Sequence, residues 1–414
     1  MINLSWLLER VFALHGSIPR RLWRSGGAFS PVHLLMEVTY RCNLRCNFCQ
    51  YLDIIEGKKK PYGPSQKDLD LPSILRWIDE FPRGRLISFV GGETLVRKDF
   101  PQILAHAARH HRVHIITNGV LIDEAVAKSY IELAPRWPWQ NGLVLLELSL
   151  QGGERTHDDV VQRPGSWRKS VDGMRHLIRL RRESGSPFPK LDFKLAVTRD
   201  TVDEMVPIMH FAREMGVDLV NFLAEHDLKG NSEGERPEHL WRAQNPPAGV
   251  DPFRLRKHLI RCYELGRELG LQVRLTPNVP IDEFVRHYTA DRDLRSSEYV
   301  CDGVWSRIGV AADGRTGPLC PYFANGDMRT ESLRGSWNSE RLREFRRLVR
   351  DERVFPGCHG CCNLRYVGDQ PLGLAGVEVG STGPARAPLE ALPALPLSVS
   401  ASRAIAPTEP ELSE

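Results

Sequence analysis

The run Met36-Glu37-Val38-Thr39-Tyr40-Arg41-Cys42-Asn43-Leu44-Arg45-Cys46-Asn47-Phe48-Cys49-Gln50 decides how this chain reads. Three cysteines, Cys42, Cys46 and Cys49, stand in it with C-x3-C-x2-C spacing. The residues before them, Leu34 to Tyr40, are apolar and β-favouring, which predicts a strand. The cysteines then fall in the loop at that strand's C-terminal end. No fourth cysteine is near, the next being Cys262. A structural zinc site closes with four ligands, and a cubane cluster has four irons to hold. Three thiolates leave one position open, which invites a substrate or cofactor. Taken alone, the run also fits a zinc loop or three unrelated core cysteines.

Working outward, residues 34–223 alternate strand and helix. Strands are expected over Leu34–Tyr40, Leu86–Val90, Val113–Ile116, Leu143–Leu150, Leu191–Val197 and Val217–Leu223. Helices are expected near Pro72–Glu80, over Asp123–Leu133 and from Ser166 onward. Asp99 and Ser166 are candidate N-caps. Thr201 and Glu204 have capping-box spacing, and Gly216 suits a helix end. Six such units imply a parallel sheet with right-handed crossovers. They are too few for a closed eight-stranded barrel. The expected fold is α/β, an open (β/α)6 partial TIM-like barrel followed by a small cysteine-rich α+β domain. In such barrels chemistry gathers at the C-terminal ends of the strands, where the cysteine loop falls.

Gly91-Gly92-Glu93 follows the second strand directly. Glycines there let the backbone approach a ligand closely, and the carboxylate can accept hydrogen bonds from an ammonium group. Thr117-Asn118-Gly119 ends the third strand and reads first as a turn, with Asn118 a candidate cofactor contact. Cys301, Cys320, Cys358 and Cys361 have C-x18-C-x37-C-x2-C spacing, with Cys362 a fifth candidate. Two separated cysteines followed by a C-x2-C pair fit a closed four-thiolate site, and zinc and iron–sulfur both satisfy that count. Cys262, inside an expected helix over Pro252–Leu269, reads as a buried thiol.

At Cys42, Cys46 and Cys49, with the aromatic Phe48 before the third cysteine, the sequence resembles the radical S-adenosylmethionine (SAM) superfamily. The resemblance implies a 4Fe–4S cluster on those three cysteines, with SAM chelating the fourth iron. It implies that Gly91, Gly92 and Glu93 contact the methionine amino group; Thr94 stands where proline is common. Ser149 and Arg163 are implied at the ribose or carboxylate of SAM, an arginine fork suiting a carboxylate. The stretch from Ile308 to Gly314, then Ser332 to Ser339, resembles the auxiliary-cluster domain called SPASM, or its shortened form, twitch. Five cysteines favour one auxiliary 4Fe–4S cluster, and a zinc ribbon is the competing reading. The gap before Cys320 is one residue longer than the common pattern. The implied activity is reductive cleavage of SAM to a 5′-deoxyadenosyl radical, hydrogen abstraction from a peptide, protein side chain or small metabolite, and help from the auxiliary cluster. A flavodoxin or ferredoxin would be the reducing partner. A non-catalytic iron–sulfur or zinc protein is the alternative from another class. No catalytic base is assigned.

Composition bounds the rest. The chain has 414 residues, is 41% hydrophobic and carries a formal charge of +4, with Lys and Arg scattered. The short run Lys58–Lys60 reads as a solvated loop, and nothing points to nucleic acid. Nine cysteines are too sparse for a disulfide scaffold, and their grouping fits metal ligation in a reducing cytoplasm. Residues 1–15 lack the marks of a signal peptide, and no segment is long enough to span a membrane. The expected organisation is an N-terminal helical extension (1–30), the barrel core (31–225), a polar insertion or lid with a helical connector (226–300), the auxiliary-cluster domain (301–367) and a disordered tail (368–414). Glu225, His226 and Asp227 follow the sixth strand and are placed to line the barrel mouth. No separate peptide-recognition domain is evident.

Overall fold

The computed structural model describes residues 14–60, 68–225, 240–241, 245–291, 293–320 and 323–373. The N-terminal extension before residue 14, most of the lid with His226 and Asp227, and the tail from 374 lie outside the described residues. Strand β1 (His33–Glu37) leads into the cysteine loop. It is followed by α1 (Leu71–Glu80), β2 (Leu86–Val90), α2 (Phe100–His110), β3 (Arg112–Thr117), α3 (Glu124–Glu132) and β4 (Gly142–Ser149). Next come α4 (Glu154–Val161), α5 (Ser166–Ser184), β5 (Lys190–Val197), α6 (Met205–Met215), β6 (Leu219–Ala224), α7 (Pro252–Leu269) and β7 (Gln272–Thr276). These strands run parallel in the order β1-β2-β3-β4-β5-β6-β7, an open and curved α/β sheet. The expected six-stranded partial barrel is present, with β7 as a seventh parallel strand inside the stretch expected to be a connector. Its burial is uneven because it is an edge strand, which hides it from an apolar-run search.

The C-terminal region is sewn to the other side of the same sheet. Strand β8 (Tyr299–Cys301) precedes β9 (Arg307–Val310), which pairs in parallel with β1, Leu34 lying beside Ile308. Strands β10 (Arg315–Gly317) and β11 (Gly326–Asp327) extend it antiparallel, as the expected hairpin arm requires. Helix α8 (Glu340–Glu352) and β12 (Leu364–Tyr366) complete it, β12 pairing with β8.

The outer face of the barrel sheet is covered by helices, as parallel strands demand. Phe193 stacks on Phe211 of α6 at 5.8 Å, so that face of β5 is the helix side. The alternate residues of β5, Asp192 and Lys194, therefore point into the concave interior. Cys262 is buried, its Sγ 3.3 Å from the Met205 carbonyl oxygen, as a structural thiol should be.

Several expected caps differ. Asp99 precedes α2 but makes no capping bond, because Arg97 holds its carboxylate at 2.6 Å. Ser166 is the first residue of α5 and not its cap; Asp158 of α4 accepts from Gly165 N, Ser166 Oγ and Trp167 N. The Thr201–Glu204 box does not form. Thr201 turns back to the Ala196 carbonyl, and Glu204 reaches Gly153 N at 2.9 Å and Thr156 Oγ1 at 2.6 Å. Gly216 ends α6 in the left-handed conformation, as expected. Among the described residues, no helix is long and apolar enough to cross a membrane.

One buried cation ties the segment after residue 14 to the C-terminal region. Arg346 on α8 is fully buried. It donates to the carbonyls of Val304 (2.8 Å) and Trp337 (2.9 Å) and to Asn338 Oδ1 (3.0 Å), with Gly26 O at 3.4 Å. Its guanidinium lies 4.2 Å from the Trp337 ring centre. Arg346→Met should leave several buried acceptors without donors and cost about 3 kcal/mol. Urea unfolding checks it, and an unchanged midpoint would show that water replaces the donors.

Candidate functional site

The cysteine loop is held from three directions. From β2, Gly92 N donates to Thr39 O (2.7 Å) and Glu93 N to Arg41 O (2.9 Å). From α4, the carbonyls of Val160 and Val161 accept from Asn47 N (3.0 Å) and Arg45 N (3.1 Å). These are the unsatisfied carbonyls of a helix C-terminus, on a helix the sequence reading did not foresee. From the turn after α4, Arg163 donates to Asn43 O at 2.7 Å. Arg163 thus braces the loop's backbone.

The glycines have a different immediate reason from the one expected. A Cβ on Gly91 would stand 2.5 Å from Thr39 O, and one on Gly92 2.3 Å from Arg41 O. Gly91 also has φ +148°, which disfavours other residues. The chain's own cysteine loop, before any ligand, occupies the space that side chains would need.

Glu93 is fully buried and joins the loops after β2 and β3. Its Oε1 accepts from Thr117 Oγ1 (2.8 Å), Leu95 N (3.1 Å) and Thr94 Oγ1 (3.3 Å), and its Oε2 from Asn118 N (2.7 Å). Burial raises its pKa, and these bonds oppose the rise. Asn118 Nδ2 reaches Asn43 Oδ1 at 2.8 Å and lies 3.9 Å from Cys42 Sγ. Leu44 N lies 3.4 Å from the same sulfur. Asn43 Nδ2 is buried with no partner among the described residues. A buried amide without an acceptor beside three thiols is what a site shaped for an absent polar group looks like.

Cys42, Cys46 and Cys49 are half-buried. Burial pushes Cys42 up to about 11, with Glu93 and Cys49 adding to it. Cys46 is raised by burial, then by the fields of Cys49 and Cys42. Thiols that oppose one another's ionisation this way are relieved by a shared cationic centre. Among the described residues, no three Cys, His, Asp or Glu side chains converge on a single ion. Cluster thiolates bind separate irons and need no such convergence. Three thiolates, each binding its own iron, fit an iron–sulfur cluster. Phe48 is half-buried in the loop, and Ser149 is half-buried on the concave face at the end of β4, beside Lys194 of β5.

The second cysteine group is also gathered. Pairing of β8 with β12 sets Cys301 opposite Leu364. Asn363 Nδ2 donates to Leu319 O at 2.9 Å, which brings the segment of Cys320 to the C-x2-C turn. Burial pushes Cys301 up to about 11 and Cys358 to about 12, the latter also by the field of Cys301. Cys361 accepts from Asn363 N at 3.4 Å and is raised by its hydrogen bond with Cys362 and by burial. Cys362 is exposed.

Sequence reasoning missed Thr117, Asn43 and α4. It also missed Glu37, whose carboxyl accepts from Tyr51 Oη and is raised to about 7 by burial. Glu37 ends β1 on the concave face, and its only signal was a charged residue closing an apolar strand.

Residues 36–212 match the radical SAM superfamily, and residues 301–362 match SPASM, an iron–sulfur cluster-binding domain. The chain is 30% identical over 196 residues to the mycofactocin maturase MftC of Mycolicibacterium smegmatis, covering 47% of this chain and 44% of that protein. It is 22% identical over 352 residues, 80% and 86% of the two chains, to the tungsten-containing aldehyde ferredoxin oxidoreductase cofactor-modifying protein of Pyrococcus furiosus. It is 28% identical to the PqqA peptide cyclase of Granulibacter bethesdensis, over 45% of each. The alignment thus spans less than half of the maturase and of the cyclase. Among solved structures, Streptococcus suis SuiB bound to S-adenosylmethionine superposes with a TM-score of 0.56 at 12% identity, over 84% of this chain and 74% of that one. SuiB bound to its precursor peptide SuiA gives 0.54 at 14% identity, over 84% and 73%. Residues 36–212 thus form a radical SAM domain and residues 301–362 a SPASM-type domain. The chain's cofactors are those of the two families, a 4Fe–4S cluster with SAM and further iron–sulfur in the C-terminal region.

Gly92→Ala should displace the Arg41 carbonyl and with it the cysteine loop. Anaerobic reconstitution should return the protein folded, by circular dichroism, but with markedly less iron than wild type. Full iron content would show that the loop accommodates a methyl group.

Proposed function

We propose that this protein is a radical SAM enzyme that modifies a peptide. The observation that carries the reading is the joining of the cysteine loop to the Gly91–Glu93 turn and to Asn118 at the C-terminal ends of β1, β2 and β3. Cys42, Cys46 and Cys49 would hold the cluster. The Oε2 of Glu93, with one internal donor against three on Oε1, keeps room for an ammonium group. Asn43 and Asn118 would supply amide hydrogen bonds beside the sulfur of Cys42. Arg163 would fix the loop, and Ser149 would face the ligand from β4. Bound there, the cluster and SAM supply a 5′-deoxyadenosyl radical that removes a hydrogen atom from the substrate.

Cys301, Cys320, Cys358 and Cys361 would hold the second cluster. Cys361 is preferred to Cys362 because it is the less exposed and lies in the fields of Cys301 and Cys358. A flavodoxin or ferredoxin would deliver the electron. The peptide class is supported by relatives named as a maturase and a peptide cyclase, and by a structural neighbour bound to a precursor peptide.

Anaerobic protein reduced in the presence of SAM should release 5′-deoxyadenosine, and a short peptide encoded beside the gene should be altered in mass. Clusters without 5′-deoxyadenosine would return the chain to a scaffold or electron carrier. The Cys42/Cys46/Cys49→Ala triple variant should lose one cluster and all SAM cleavage while retaining the iron of the second group. Loss of all iron would contradict separate sites. Glu93→Ala should weaken SAM binding by about tenfold or more, the scale of a lost charge-assisted hydrogen bond. Equilibrium binding of SAM to reconstituted protein checks it, and unchanged affinity would leave Glu93 a purely structural role.

A further inference from the structure

The interior of an α/β barrel is ordinarily packed with branched apolar side chains. The concave face here carries a continuous polar layer instead. Glu147 on β4 and Asp192 on β5 are register partners, adjacent on the same face. Both are buried, Asp192 completely. Glu147 Oε1 accepts from Lys194 Nζ at 2.7 Å and Oε2 from Asn221 Nδ2 at 2.9 Å. Asn221 is braced by Thr276 of β7 at 2.9 Å. Neither oxygen of Asp192 accepts from a donor among the described residues, and its side-chain hydrogen-bond neighbour is the Glu147 carboxyl. Its nearest cation is Arg274 of β7 at 3.8 Å, and that side chain is 42% exposed. On the other flank, Ser88 of β2 links His33 of β1 (2.9 Å) to His114 Nδ1 of β3 (3.0 Å). His114 Nε2 is buried without a partner among the described residues.

Two carboxyl groups this close, both out of water, cannot both ionise. Burial first, and the charge of Glu147 second, drive Asp192 well above the ordinary carboxylate range. Burial also pushes Glu147 up. The ammonium of Lys194 and the hydrogen bonds from Lys194 and Asn221 outweigh it and hold Glu147 ionised. His33 and His114 are kept neutral by burial. The layer thus holds a carboxyl on Asp192, a carboxylate on Glu147 and an ammonium on Lys194. Lys194 is the member that reaches the barrel mouth, 17% exposed, beside Ser149 at the C-terminal end of β4.

We propose that Glu147 and Asp192 share one proton and, through Lys194, form the general acid–base site for the substrate in the barrel mouth. This rests on the reading of the chain as an enzyme whose substrate lies over the strand ends. A proton passes between Lys194 and the substrate. Lys194 is restored from the Glu147–Asp192 pair, and Asp192 exchanges with water at the Arg274 end. No bond to carbon is made by these groups, and the pair returns to one proton.

Three measurements test it. The infrared difference spectrum between wild type and Asp192→Asn, near neutral pH and without substrate, should contain the carbonyl stretch of a protonated carboxyl. Thermal or urea unfolding should show the linkage. A carboxyl that keeps its proton in the fold and releases it on unfolding makes stability fall as pH rises above the ordinary carboxylate pKa. The folding equilibrium shifts about tenfold per pH unit until the folded carboxyl ionises. Asp192→Asn should show a slope shallower by about that tenfold per unit; Glu37 and Glu93, whose carboxyls burial also raises, contribute to both proteins alike, and the neutral histidines do not supply it.

With the candidate peptide, the paired variant Lys194→Met/Glu147→Gln, which leaves no unpaired buried charge, should lower product formation about 10²-fold. No carboxyl band, or equal pH slopes in wild type and Asp192→Asn, would overturn the shared proton. Both signals present with product formation at the wild-type level would overturn its catalytic use. Wild type that leaves the peptide unaltered would fail the substrate reading alone, and the first two measurements would then decide the dyad.

Discussion

The site depends on one contact, the backbone of Gly91 and Gly92 lying against the backbone of Thr39 to Arg41. Nothing larger than glycine fits, since added Cβ atoms would fall at 2.5 and 2.3 Å from carbonyl oxygens. That approach lets Gly92 N and Glu93 N satisfy the first carbonyls of the cysteine loop. It also delivers the Glu93 carboxylate to Thr117 and Asn118 at the end of β3. A buried carboxylate is costly unless its oxygens are filled. Here four donors from the loops after β2 and β3 meet them, three on Oε1 and one on Oε2, and with the Gly92 and Glu93 amides on the cysteine loop they lock the ends of β1, β2 and β3 as a unit. A flexible loop of three thiols would lose much of its binding energy in ordering; this one is ordered beforehand.

The second constraint is the open edge. A closed barrel needs a complete ring of strands, whereas here β9 pairs with β1 and the sheet continues through β10 and β11. The second cysteine group is thereby attached to the strand that carries the first. The same parallel pairing places Arg307 of β9 beside His33 of β1, so the concave face runs from the barrel into the C-terminal region without a break. Arg346 closes the outer side of that region by collecting carbonyls from three segments that have no regular partner. A sheet left open in this way can carry polar groups in its interior, because the interior is a working surface and not the main apolar core. The core lies on the helix side, where Leu146, Leu148, Phe193 and Leu195 are fully buried.

The sequence by itself determined the parallel α/β sheet, the place of the cysteine loop after β1, the Gly91–Glu93 turn after β2 and the gathering of late cysteines into a second group. These are local signals: apolar runs bounded by turn residues, and reactive residue types at short fixed spacing. Strand β2 and helix α7 were legible to the residue because a turn and an Asp-Pro start bound them sharply. Strand β7 was not, because an edge strand can be polar on its open face. The caps at Asp99, Ser166 and Thr201 failed for one reason: each side chain found a partner that pattern reading cannot see, Arg97, Asp158 and the Ala196 carbonyl. Only the tertiary structure decided that α4 holds the cysteine loop and that Arg163 binds its backbone. Only strand register could place Glu147, Asp192 and Lys194 on one face as a proton-holding layer. Side-chain alternation marks them as sharing a parity, but which parity faces the helices is set by how the sheet curves, and that is a property of the whole chain.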